Sequence, residues 1–152
     1  MPQLQYPQGI FQTLQWLTKQ VKILISKVYT LEKVGRVIKI GTGTLTTGSL
    51  YYLSSTGVWT LADADAVATT KGLLGIALGS SPTTNGLLIE GLITNAAFTQ
   101  TAGDVLYVSP TAGAITSTAP STSGQTVRVV GYMTSTANTI YFTPDPTWVT
   151  LA

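Results

Sequence analysis

Apolar residues at Ile10, Leu14, Leu17, Val21, Leu24, Val28 and Leu31 are spaced by four and three positions in turn, without a miss. That is a heptad, with Leu14, Val21 and Val28 at a and Ile10, Leu17, Leu24 and Leu31 at d. The opposite f positions are Gln12, Lys19, Ser26 and Lys33, so one face is apolar and the other wet. The pattern predicts a coiled-coil helix over residues 10–34, stopped by Gly35. A lone helix of this length is marginal in water, so it requires partner helices or a core to cover. Phe11 and Ile25 at e widen the stripe beyond what two helices cover and favour three strands, whereas β-branched a with Leu at d favours two. Two other readings compete: an amphipathic helix packed on its own domain, or a basic helix on a membrane. Sparse Lys residues spread around the wheel disfavour the membrane.

Ahead of the heptad, Pro2, Pro7 and the turn-like YPQG at 6–9 predict an extended arm over residues 1–9, since proline removes a donor and restricts its neighbour. Leu4, Tyr6 and Phe11 give that arm something to bury, as a tether to another protein has; the alternative is a frayed terminus. No export signal is visible in MPQLQYPQGIFQTLQW, which lacks a basic n-region and an unbroken apolar run.

From Arg36 onward the pattern changes to short runs of β-branched and aromatic residues, cut by Gly, Asn-Gly and Ser/Thr clusters every eight to twelve positions. The text is written twice. GSLYYLSSTGVWT at 48–60 is answered by GDVLYVSPTAGAIT at 103–116, aligning Tyr52 with Tyr107 and Thr60 with Thr116. GLLGIALGSSPTTNGLLI at 72–89 is answered by VRVVGYMTSTANTIYF at 127–142, aligning Gly75 with Gly131 and Asn85 with Asn138. The expected fold is mainly β: a coiled-coil helix, then a small antiparallel β-barrel or sandwich over 36–152, built from two similar halves at about 48–98 and 103–143. Closing the hairpins on one another removes the exposed edges that aggregate.

Composition sharpens this. Charged residues are 9% of the 152, against roughly 25% in ordinary soluble chains, and Thr, Ser, Gly and Ala fill the vacancy. Little self-repulsion is available, which suits a fixed assembly. Residues 1–40 hold six basic residues against Glu32, a balance of +5, while residues 41–152 hold Lys71 and Arg128 against five carboxylates, a balance of −3. That division supports a boundary near residue 35.

Candidate chemistry is sparse. The chain has no histidine and no cysteine, which removes the commonest general base, the thiolate nucleophile and most metal ligands. Asp63 and Asp65 in LADADAVATT could approach a cation, but no calcium-loop Gly and terminal Glu follow, so turn capping is the reading. Lys71-Gly72 is not a phosphate loop, and Lys71 and Arg128, the two basic residues of 41–152, do not make a nucleic-acid surface. Neither catalytic residues, nor a cofactor, nor a metal site is expected. Trp59, Tyr51, Tyr52, Tyr107 and Tyr141 could line a sugar-binding surface, though at strand positions core packing competes.

The stretches GSLYYLSSTGVWT, ATTKGLLGIALG, GDVLYVSPTAGAIT and VRVVGYM resemble the β-domains of tailed-bacteriophage virion proteins, among them capsid decoration proteins, head fibres and tail-fibre domains. The resemblance covers residues 41–143 and rests on glycines and hydroxyls rather than on a site. A helix ahead of such a domain is similar to trimeric head-fibre or decoration organisation. The resemblance implies a non-enzymatic protein of the virion surface, a homotrimer with no nucleic acid or membrane partner, docked by its arm on the major capsid protein or another virion protein. No long shaft or receptor-binding tip follows, which counts against host adhesion; a tail-associated adhesin or carbohydrate-binding module is the alternative.

Overall fold

The chain divides into two compact units, Met1–Lys33 and Val34–Ala152. The computed structural model describes residues 8–152, with side chains over residues 9–23 and 35–152. Leu4 and Tyr6 lie outside the described residues, as do the side chains at Leu24, Val28 and Leu31.

The first unit contains α1, Gln8–Val34. It begins two residues earlier than the heptad indicates, so Gln8 and Gly9, expected in an extended arm, are helical, and Phe11 stands on the helix rather than in the arm. A proline just ahead of a helix accounts for the early start, because the first helical N–H groups have no intrahelical acceptor and a fixed φ suits helix entry. The Thr13 and Thr18 hydroxyls donate to the carbonyls of Gly9 and Leu14 one turn back, at 2.8 and 2.9 Å. The helix stops at Val34, followed by Gly35 at φ +81°, a left-handed residue where only glycine is unstrained.

The second unit carries eleven short strands: β1 (Arg36–Ile38), β2 (Leu50–Leu53), β3 (Trp59–Leu61), β4 (Leu74–Ala77), β5 (Leu87–Thr94), β6 (Val105–Val108), β7 (Ile115–Thr116), β8 (Thr126–Val127), β9 (Val129–Met133), β10 (Thr139–Phe142) and β11 (Val149–Thr150). A single turn of helix, α2 (Val67–Thr70), precedes β4. Nine strands form one curled antiparallel sheet, a half-barrel, in the order β3-β2-β4-β5-β10-β9-β6-β7 with β1 added on β5; β8 and β11 pair separately. It is not two stacked sheets. The order reads alike from both ends, because each copy of the repeat contributes four strands in the same internal order and the copies meet at β5 and β10. Aligned residues occupy matching registers: Tyr52 faces Thr60 and Tyr107 faces Thr116, while Tyr51 faces Gly75 and Leu106 faces Gly131.

β5 joins the halves. Its first part, Leu87 to Glu90, pairs with β4 and β1, and its second part, Gly91 to Thr94, pairs with β10. The sheet curls until its ends touch through main chain: the Leu50 N–H donates to the Gly113 carbonyl at 2.8 Å, and the Gly113 N–H to the Ala62 carbonyl at 2.7 Å. Those contacts satisfy edge groups that would otherwise be open.

The core lies inside the curl, with Leu50, Ile76, Leu88, Leu106, Val130, Ile140 and Phe142 fully buried. A second cluster, Leu45, Tyr51, Trp59, Ala77 and Leu87, occupies the first half alone. The two copies therefore bury different positions of one motif: Leu50 and Tyr52 meet the main core in the first, Leu106 and Val108 in the second. A bulge in the second half contributes to this difference. Leu106 pairs with Gly131 but Tyr107 with Val129, so Val130 is an extra residue, buried at the bulge.

Candidate functional site

The described apolar side chains of α1 are exposed. Ile10, Phe11, Leu14, Leu17 and Val21 are 46–57% exposed, and Trp16 and Ile23, one position ahead of the d residues Leu17 and Leu24, are also exposed. Trp16 and Ile23 escaped the heptad reading because they fall at c, outside the a/d seam. Five seam positions or neighbours are thus brought onto one face, while the anchors Leu4 and Tyr6 lie outside the described residues. No described helix is long and apolar enough to cross a membrane.

A cavity of about 590 Å³ lies where the halves of the second unit join; its walls include Arg36, Ile89, Glu90, Thr143, Arg128, Leu73 and Trp148. The β9 side of the bulge positions Arg128, which is only 5% exposed. Its Nε donates to the Asp145 carbonyl at 2.8 Å, and one Nη1 group donates to the carbonyls of Thr70 and Gly72 at 2.6 and 2.9 Å. The guanidinium carbon lies 5.8 Å from the centre of the Trp148 ring, a cation–π distance. Arg128 thus ties the turn after α2 to the segment that follows β10.

Among the described residues no carboxylate lies at ion-pair distance from it, and the Asp145 charge acts on it from farther away. The ion pair among the described residues joins Arg36 to Glu90 at 3.3 Å on the cavity wall. Asp145 presents its carbonyl to Arg128, and its exposed carboxylate accepts from the Thr147 hydroxyl and N–H at 2.6 and 2.7 Å. Those two bonds, hydroxyl first, hold the Asp145 carboxyl below its ordinary range, with a smaller contribution from the Arg128 charge. Burial lowers the Arg128 pKa, offset in part by Asp145. Sequence reading passed over this residue as one of two scattered cations. The available signal was its place in VRVVGYM, a long charged side chain inside an apolar strand run, where a buried arginine needs several acceptors.

The remaining candidates separate. The Asp63 carboxylate accepts from the Asp65 N–H at 3.1 Å and the Thr69 hydroxyl at 2.9 Å, closing the turn into α2. Asp65 instead accepts from the Gln125 amide at 3.1 Å. Asp104 caps its own turn through the Thr101 N–H at 2.9 Å. No group of three or more acidic residues gathers among the described residues.

The proposed aromatic surface is not assembled as expected. Trp59 and Tyr51 are buried in the second cluster, where Trp59 Nε1 donates to the Ile40 carbonyl and the Tyr51 hydroxyl accepts from the Thr46 N–H, each at 2.8 Å. Tyr52 and Tyr107 are half-buried. Tyr141 is exposed, but its neighbours across the strands are Tyr132 and Leu92, which also face solvent. No family model, no curated protein and no solved structure matches the chain.

Proposed function

We propose that this chain is a non-enzymatic structural protein of a bacteriophage particle surface, of the capsid decoration or head-fibre kind. In this reading α1 builds a parallel three-stranded coil and residues 1–7 dock the oligomer on a capsid or other virion protein. The observation that carries it is the row of half-exposed Ile10, Leu14, Leu17 and Val21 along one helix, ahead of a β-unit with few charges. Burying each such side chain contributes roughly 1.5–3 kcal/mol, so several rows shared by three chains outweigh the entropy of association. Three arms joined by one coil combine weak contacts, because the first to dock raises the local concentration of the others.

Two measurements test it. Mass in solution should correspond to three chains and fall to one for Leu17→Asp, which puts a charge in the seam. An unchanged mass for that variant makes the stripe a packing face within one molecule. Deleting residues 2–6, which leaves α1 whole, should preserve trimer mass while abolishing incorporation into particles lacking the native protein. Normal incorporation of the deletion places docking in the β-unit. The exposed Tyr132–Tyr141 pair favours the second reading, a tail-associated carbohydrate-binding module, because paired tyrosine faces are a stacking platform. Tagged protein found on the tail rather than the head selects it.

A further inference from the structure

The cavity at the junction of the two halves contains an unusual combination. Arg128 is almost wholly buried, yet three of its five N–H donors go to main-chain carbonyls, which satisfy hydrogen bonds without cancelling charge. Its Nη2 group has no protein partner among the described residues. Arg128 lines the cavity, which leaves that edge for a bound group. A buried cation with no carboxylate at ion-pair distance and one donor edge without a protein partner is arranged for an anion.

The rest of the lining narrows the anion. Trp148 and Leu73, 41% and 39% exposed, offer apolar surface, and Pro144 and Pro146 extend it. The Glu90 carboxylate occupies the same wall, bound to Arg36 through Oε2, which leaves Oε1 as an acceptor. A carboxylate there repels a doubly charged phosphate monoester more than a singly charged carboxylate, and it accepts from hydroxyl groups. Arg36 also lines this wall but is paired with Glu90, so one guanidinium without an ion-pair partner, a hydroxyl acceptor and a flat apolar wall match a ring that carries one carboxylate and several hydroxyls. The volume, about 590 Å³, lies within the range of small-ligand sites.

We propose that this cavity binds an acidic sugar, a hexuronate or a nonulosonate, with its carboxylate on Arg128 Nη2, its hydroxyls on Glu90 and Thr143, and its apolar face on Trp148. The proposal does not depend on the particle-surface reading.

The test uses the full chain labelled with ¹⁵N and titrated with glucuronate, glucose and N-acetylglutamate amide, followed by amide and indole shifts. Trp148→Ala is the working variant, since this half-exposed side chain lies on the cavity rim. Glucuronate should give saturable shifts at Gly72, Leu73, Arg128 and the Trp148 indole, with about tenfold weaker binding by Trp148→Ala, the size of one lost stacking contact. Glucose should bind at least about tenfold more weakly than glucuronate, because it lacks the charge. Equal binding of glucose removes the role assigned to Arg128. N-acetylglutamate amide binding as tightly as glucuronate overturns the sugar class in favour of a peptide carboxylate. Absence of saturable shifts at these residues with all three probes overturns the site.

Discussion

Replacing Arg128 by Met keeps much of the side chain's length and removes its charge and donors. Three carbonyls lose their partner: Thr70 in a buried bond of 2.6 Å, and Gly72 and Asp145 in half-buried bonds of 2.9 and 2.8 Å. An orphaned buried acceptor costs about 1–3 kcal/mol, with Thr70 at the upper end and the other two near about 1 kcal/mol each because water in the cavity reaches them. The sum is roughly 4–5 kcal/mol. Met also relieves the burial of a cation that has no ion-pair partner, which offsets part of that sum. A net loss of about 3 kcal/mol remains, a large share of the roughly 5–15 kcal/mol available to a domain. For a unit of this size it corresponds to a fall of about 10–15 °C in Tm. Thermal unfolding followed by near-ultraviolet circular dichroism measures it, since Trp148 lies against the guanidinium. Arg128→Lys should lie between the two, because one ammonium cannot reach all three carbonyls. A Tm within 3 °C of wild type for Arg128→Met would falsify the staple: the carbonyls would then be served by water, and the arginine would contribute nothing to holding the turn after α2.

Gly131→Ala should destabilise strongly, since its φ is +153° and an added Cβ would meet the Tyr141 carbonyl oxygen of the neighbouring strand; urea unfolding should show a loss of about 2 kcal/mol or more, and an unchanged midpoint refutes the close approach of β9 and β10. Asp145 has a carboxyl pKa lowered in the folded state, so its contribution is present above the ordinary range near about 4 and is lost as pH falls through the folded value. Asp145→Asn should therefore lower stability at neutral pH, where that contribution is present, and flatten the acid limb, variant and wild type converging once the wild-type carboxyl is protonated; an identical acid limb refutes the assignment. Arg36→Ala should change stability by less than about 1 kcal/mol in a chemical melt, because its ion pair with Glu90 is largely exposed, with side chains 74% and 41% accessible. Added chelator should leave Tm unchanged, given that the Asp63 carboxylate is engaged by its own turn; a clear drop would mean that Asp63 and Asp65 hold a cation.

The periodicity of the chain determined much of this molecule by itself. A change from heptad spacing to short alternating runs places the helix and the strands, because each period serves one backbone geometry. The doubled motif foretold more than composition alone: residues aligned by eye, Tyr52 with Tyr107 and Thr60 with Thr116, occupy matching cross-strand registers. Register follows from sequence when Gly-containing turns sit at equivalent places in both copies. The helix start at Gln8 was missed because proline signals both the end of an extended segment and the entry to a helix.

Tertiary structure decided the rest. Which face of each strand is covered depends on what the rest of the chain lays over it. The first copy has apolar clusters at both Leu50 and Tyr51, whereas the second has a bulge at Val130 and turns Leu106 inward in place of the residue aligned with Leu50. That is why the aromatics best placed by sequence for a ligand, Trp59 and Tyr51, are buried, and why Tyr132 and Leu92 stand outside beside Tyr141. The cavity around Arg128 is assembled from residues between Arg36 and Trp148, more than a hundred positions apart. Local pattern records the period of an element but not its neighbours, so a site whose walls come from both halves of a repeat exists only once the sheet has curled.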